Sequence, residues 1–222
     1  MEQIAHIETP FKTKFGVPRQ AGLVDYEASV VFEPQYRVAE AVRGLEEFDY
    51  IWLIWGFHLT ERDSWSPTVR PPRLGGNKRV GVFASRSPFR PNPLGLSSVR
   101  LLRIAHEADQ GPVLYISGAD LVDGTPIYDI KPYLPYADSH PDARGGFASD
   151  APTASLEVND PNHMLDTIPD ADAAALRASL AHDPRPHYQH DPERVYAMEF
   201  GAWEVRFTVV GDVLNIVNVC NK

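Results

Sequence analysis

Apolar positions fall into two regimes along this chain, and the change between them comes near residue 137. Before it, the hydrophobic runs are short, β-branched or aromatic, and separated by turn residues. Ile4–Glu8, 48–57, 79–84, 96–104, 112–118 and 125–130 all read as strands. Phe48 to Phe57 is almost wholly apolar and predicts a strand buried on both faces. Asp123-Gly124 predicts a turn between two neighbouring strands. One segment breaks the pattern: in 35–45, Val38, Ala41, Val42 and Leu45 sit at helical spacing with Gly44 near the end, which predicts a helix. Beyond residue 137 the chain passes through ADSHPDARGGFASDAPTA, a linker-like composition. A helix is then predicted over 169–181, with acids in its first turn. Strands follow over 194–200 and 203–219, the latter turning at Gly211-Asp212.

Alternating strand–helix units are missing from this pattern and no GxGxxG occurs, so a Rossmann fold is not expected. The pattern predicts a mainly β protein: a β-barrel or sandwich over 1–140, a linker over 141–160, and a small α+β appendage over 161–222.

Composition adds boundaries rather than detail. The 222 residues are 43% hydrophobic and 23% charged, the balance of a globular protein. The single cysteine, Cys220, excludes a disulfide framework. The first residues do not read as a signal peptide, and the longest apolar run, Tyr50–Phe57, is too short to span a bilayer. A cytoplasmic protein without a membrane partner is therefore expected. His187 and His190 have no third ligand at a recognisable spacing, so no metal site is predicted, and P-loop, GxSxG and HExxH motifs are absent.

Charge changes the picture most. The net charge of −9 speaks against a nucleic-acid partner when taken whole. Residues 62–103, however, hold nine Arg or Lys against Asp63 alone, a net +8 that leaves −17 for the rest. That segment also contains six of the twenty prolines. Pro88, Pro91 and Pro93 stiffen the loop that carries Arg86, Phe89, Arg90 and Asn92, which lowers the entropic cost of presenting them in one geometry. Arg86 and Arg90 suit a carboxylate or phosphate. Two further stretches carry polar chemistry: KFGVPRQ, with Arg19 and Gln20, and DLVDGTPIYDIKPYLPY, with Asp123, Tyr128, Asp129 and Lys131. His58 stands where a buried strand gives way to a loop.

KFGVPRQ, RGLEEFDYIWLIWGFH, RPPRLGGNKRVGVFASRSPFRPNPLGLSSVRLL and LVDGTPIYDIKPYLPYAD, in that order over residues 3–140, closely resemble the TsaA-like family, and DPRPHY (183–188) is similar to the C-terminal extension of its bacterial members. The resemblance implies a compact, non-Rossmann β-barrel methyltransferase, acting as a homodimer with S-adenosylmethionine near the subunit interface. It also implies methylation of the N6 nitrogen of threonylcarbamoyl-adenosine beside the tRNA anticodon. Its cofactor positions correspond to Pro18, Arg19, Gln20, Phe57, His58, Arg86, Leu96, Asp123, Gly124 and Thr125. Proton acceptors are then sought in Asp129 and His58, with Tyr128 third. The basic segment supplies RNA contacts: Arg62, Arg70, Arg73, Lys78, Arg79 and Arg90 for phosphates, and Trp65 for a stacked base. Two other readings stay open: methylation of a small molecule, and a nucleotide- or RNA-binding module without catalysis.

Overall fold

The chain lays down β1 (Ala5–Glu8), β2 (Glu27–Phe32), β3 (Tyr50–Gly56), the two-residue strands β4 (Thr68–Val69) and β5 (Val80–Gly81), then β6 (Leu94–Glu107), β7 (Gly111–Ser117) and β8 (Pro126–Pro132). A short helix, α1 (Pro135–Asp138), follows. After it come β9 (Glu157–Asn159), α2 (Asp170–Ala181), β10 (Tyr196–Phe200), β11 (Trp203–Val210) and β12 (Val213–Asn221). This is a computed structural model, and it describes all residues except 61–63, 151, 153–154, 187–188 and 190.

Six strands close on themselves in the order β1-β2-β7-β6-β3-β8, every pair antiparallel. Closure removes the sheet edges that would otherwise invite pairing with other chains. Side-chain parity then decides the interior. Ile51, Leu53 and Trp55 point inward from β3 beside Val99 and Leu101 of β6, Leu114 and Ile116 of β7, and Ile127 of β8. A second sheet, β10-β11-β12-β9, packs under α2, which buries Ala175, Leu176 and Leu180. Only the β12–β9 pair is parallel among the described strands.

The two sheets share one hydrophobic core, and the loop after β1 joins them. Phe11 lies edge-on between Tyr26 of the barrel and Phe200 of β10, at 5.0 and 5.2 Å between centroids. Phe15 stacks with both Tyr196 and Phe207. Gly201 N–H donates to the Pro10 carbonyl at 2.7 Å.

Three expectations need correcting. The predicted 35–45 helix is three separate 3₁₀ turns, because Val38 and Arg43 are extended and Gly44 is left-handed at φ 84°. β3 is not buried on both faces: Tyr50, Trp52 and Ile54 lie on the outer surface of the ring, where their rings and methyls are only partly covered. Asp123-Gly124 does form a turn between the consecutive strands β7 and β8, but these make no hairpin, since β7 pairs with β2 and β6 while β8 pairs with β1 and β3. In addition, 79–84 is a strand only at Val80–Gly81, and β9 forms inside the stretch whose composition reads as linker. No helix among the described residues is long and apolar enough to cross a membrane.

Candidate functional site

At one end of the ring the loop after β1, the end of β3, the loop before β6 and the β7–β8 connection converge. The meeting point is Asp120. Trp55 Nε1–H donates to Ser97 Oγ at 2.9 Å, and the Ser97 hydroxyl donates to Asp120 Oδ1 at 2.5 Å. Ser97 is buried because it falls on the inward parity of β6; Gly95, two residues earlier, lets the Trp55 ring lie flat against the backbone, where a Cβ would fall 2.1 Å from it. Burial pushes the Asp120 carboxyl above the usual carboxylate range. The Ser97 hydroxyl, its own backbone N–H, the Arg86 charge and the Ala21 N–H draw it partly back. The same burial, helped by the Asp120 charge, pushes the Tyr26 phenol up, and its hydroxyl donates to the Ala119 carbonyl at 2.9 Å.

Around this centre the loops bond to one another. Arg86 donates to the Gln20 side-chain carbonyl. Gly22 N–H donates to the Gly118 carbonyl at 2.8 Å, and Gly118 is left-handed with the Gly22 backbone 3.3 Å from where its Cβ would stand, so a side chain at Gly118 would crowd this contact. Phe57 sits edge-on to Trp55 at 4.4 Å. His58 is half-buried, and burial followed by the Lys14 charge lowers its pKa, which favours the neutral imidazole; Lys14 itself donates to the Leu59 carbonyl.

The first loop is gripped from the far side by the C-terminal half. Ser179 Oγ of α2 donates to the Gly16 carbonyl at 3.1 Å. Arg19 donates to the Asp183 carbonyl at 3.0 Å. Asp183 is left-handed (φ 51°) and is held by a two-point ion pair with the buried Arg185, Nε to Oδ1 at 2.8 Å and Nη2 to Oδ2 at 2.9 Å. Burial alone would raise the Asp183 carboxyl, but the Arg185 bonds outweigh it and hold the pKa down.

Arg86 thus meets Gln20 directly, Phe57 and His58 stand at the end of β3 on the same end of the ring, Pro18 is buried within the first loop, and Arg19 reaches away to Asp183. The remaining sequence candidates separate from them. Asp123 is a brace: its carboxylate accepts Thr9 N–H at 2.9 Å and Lys12 Nζ at 2.8 Å, while Gly124 N–H and the buried Thr125 tie the turn to β1. Leu96 points outward, 54% exposed, opposite Ile54. Asp129 pairs with Ile54 from the other side on that same outer face, and its carboxylate bonds Lys131 Nζ at 2.9 Å and the Ile130 N–H. Tyr128 is the extra residue of a bulge opposite Ile54/Trp55, and its ring covers Gly56.

In the basic segment, β4 and β5 form a small hairpin with Arg79 bonded to the Thr68 hydroxyl at 3.0 Å. Arg73 reaches the Asp150 carbonyl, and Arg90 donates to the Ser85 carbonyl at 3.1 Å. Arg70, Lys78 and Arg79 are exposed, and Trp65 is 49% exposed. Arg62, His187 and His190 lie outside the described residues. No group of His, Cys, Asp or Glu placed to hold a metal occurs among the described residues.

Comparison with known proteins gives the chain a family. The model of the tRNA-methyltransferase O N-terminal domain matches residues 6–139, and that of the TrmO C-terminal domain matches 161–222. The chain belongs to the tRNA-methyltransferase O family. It is 45% identical over 217 residues to a tRNA (adenine(37)-N6)-methyltransferase of Escherichia coli K12, across 94% of this chain and 92% of that one. A protein of the same name from Homo sapiens is 31% identical over 199 residues, covering 84% of this chain and 42% of that one. A crystal structure of TrmO from Pseudomonas aeruginosa superposes with a TM-score of 0.76 at 32% identity, across 99% of this chain and 95% of the other.

Within this TrmO-family chain, sequence reasoning passed over Asp120, Ser97 and Trp55. Their signal was parity. In LGLSSVR, Ser97 shares the inward face with Val99, so a hydroxyl had to be satisfied inside the ring, and an acid from another loop does so.

Proposed function

We propose that this chain is a tRNA methyltransferase that moves a methyl group from S-adenosylmethionine to the N6 nitrogen of adenosine 37. The acceptor is proposed to be threonylcarbamoyl-adenosine beside the anticodon, and the enzyme to be a cytoplasmic homodimer. The observation that carries the reading is the convergence at one end of the ring of the elements that bear Gln20, Phe57, His58 and Arg86, the last of them part of the chain's one strongly basic segment.

The donor set suits the cofactor. Arg86 is an exposed cation whose described partner is a neutral amide, leaving guanidinium N–H groups for a carboxylate. Phe57, held by Trp55, offers an aromatic edge and face for an adenine or a cation. Pro18, Arg19 and Gln20 supply a shaped wall, and Asp123, Gly124 and Thr125 brace the β7–β8 connection against β1 and the loop that follows it. When bound, S-adenosylmethionine supplies a methyl group on a sulfonium, open to in-line attack. The protein's part is alignment, worth on the order of 7–11 kcal/mol at most.

The acceptor nitrogen lends its lone pair to a carbonyl, so its proton must leave at or near the transition state. His58 is kept neutral by burial and the Lys14 charge, and Asp129 and Tyr128 are the further candidates. The outward direction of Leu96, Tyr128 and Asp129 supports a site completed by a second subunit lying against this face. Residues 1–140 are read as the methyltransferase unit and 161–222 as a support joined through 141–160.

The test is labelled S-adenosylmethionine with bulk tRNA prepared with and without the threonylcarbamoyl group. Label only in the modified tRNA is expected. No label in either overturns the reading; label in both retains methyl transfer and overturns the acceptor. A small-molecule methyltransferase would share the cofactor loops, but it would have no use for the cationic hairpin.

A further inference from the structure

Phe83 is the most exposed ring in the basic segment, at 73%, and no sequence motif singles it out. It belongs to a 3₁₀ turn, Val82–Ala84, that is fixed at both ends. Its neighbour Val82 is 1% exposed and donates its N–H to the Pro67 carbonyl at 3.0 Å. Ser85 closes the other end, its N–H and hydroxyl both donating to the Val82 carbonyl at 3.1 and 2.8 Å. With Val82 turned inward, Phe83 is forced outward. There it stacks with Trp65, ring centroids 6.3 Å apart and planes 27° from parallel. Trp65 precedes β4 and Phe83 follows β5, so the antiparallel pairing brings the two rings together at the open end of the hairpin.

We infer that Trp65 and Phe83 form a two-ring platform on which an unstacked base of the RNA substrate lies. The inference rests on the tRNA reading above and adds a subsite to it. Charge selects the occupant. Arg70, Arg73, Lys78 and Arg79 stand on the connection between β4 and β5, one short hairpin away from the rings; all four are exposed, and none forms an ion pair with a described acid. A single-strand nucleic-acid groove combines a cationic track for the backbone with exposed aromatic faces for the bases, and the net +8 of residues 62–103 beside these rings matches that pairing. The side chain most exposed here, a phenylalanine, has no hydrogen bond to offer, so it reads the face of a base and not its edge.

The experiment uses the full chain and bulk tRNA carrying the threonylcarbamoyl group. Tryptophan fluorescence reports tRNA binding, methylation kinetics give KM for tRNA, calorimetry gives cofactor affinity, and sedimentation gives the oligomeric state. Phe83→Ala is expected to weaken tRNA binding and raise KM for tRNA by roughly tenfold. Phe83→Leu should do the same despite keeping an apolar bulk, and Phe83→Trp should restore both values. Cofactor affinity and oligomeric state should not move. Unchanged tRNA affinity in Phe83→Ala, or equal rescue by Leu, overturns the platform and leaves the methyltransferase reading intact. A shift in oligomeric state also overturns it, assigning the rings to a second copy of the chain. Phe83-dependent tRNA binding without methyl transfer supports the platform and sinks the enzymatic reading instead.

Discussion

Gly16 lies against Met198 so closely that a methyl group on its Cα would fall 2.5 Å from both the sulfur and the terminal carbon. This contact brings the C-terminal sheet onto the first loop of the site. Gly16 is also left-handed at φ 90°, so two independent costs meet at one residue. Gly16→Ala should destabilise the protein by about 1–3 kcal/mol, a fall of several degrees in melting temperature for a chain of this size. Met198 is fully buried and its own truncation is costly, so the steric part is read from a double-mutant cycle: on a Met198→Ala background, Gly16→Ala should cost only the backbone part. No cost at all on that background would show that the backbone conformation costs nothing.

Asp120 ties pH to stability. Its carboxyl is pushed above the ordinary carboxylate value in the folded chain, so the folded state holds the proton more tightly than the unfolded one. The resulting penalty is absent below the unfolded value, grows as pH rises toward the folded value, and is complete above it. Asp120→Asn keeps an acceptor for Ser97 and removes the charge. It should melt higher than the parent at neutral pH, with the gain vanishing toward pH 3. A gain that does not change with pH would contradict this account.

Arg86 is proposed to hold the cofactor carboxylate. Arg86→Ala should weaken S-adenosylmethionine binding by about 1.5–3 kcal/mol, or roughly 10- to 150-fold, measured by calorimetry. Arg86→Lys keeps the charge but loses the forked donor geometry and should fall between the two. Lysine equal to arginine would indicate a simple charge effect and not a two-point contact.

With His58 as proton acceptor, turnover should decline on the acid side through a value below the usual histidine range, because burial and the Lys14 charge lower its pKa. Lys14→Gln should move that limb upward. His58→Ala and Asp129→Asn together separate the candidates, the true base costing on the order of 10²–10⁴ in kcat. Near-normal turnover in both variants would remove both from the mechanism.

Asp183 and Arg185 act in the opposite sense to Asp120. The depressed Asp183 carboxyl contributes stability above its unfolded value, lost as pH falls through the lower folded one. Arg185→Lys keeps the charge but not the two-point bond. It should raise KM for the cofactor more than it lowers the melting temperature, since Asp183 holds Arg19. Equal effects on both would indicate a structural role alone.

Much of this molecule was legible in its residues because the signals were local. The strand-rich first half, the α2 helix, the hinge at Gly211-Asp212 and the basic segment all follow from spacing or composition. β2 escaped notice because EASVVF mixes an acid and a serine into a short apolar run with no turn dipeptide beside it. The false helix at 35–45 had the right spacing, yet its apolar residues do not share a buried face: only Val42 is buried and Val38 is 47% exposed. In the site, Gln20 and Arg86 were found as separate motifs. The Trp55–Ser97–Asp120 chain was not, because it joins two strands, β3 and β6, to a loop that only closure of the ring brings beside them.

The stretch 139–150 is exposed at every residue, while Phe11, Phe15 and Gly16 are already embedded in the far sheet. Covalent continuity is therefore not what joins the two halves. A cut between residues 140 and 145 leaves the shared aromatic core, the Ser179–Gly16 bond and the Arg19–Asp183 bond untouched. It removes only the tether that keeps each half at high local concentration. The peptide connection is a concentrating device, and the two fragments, made separately, should find each other and rebuild the same site.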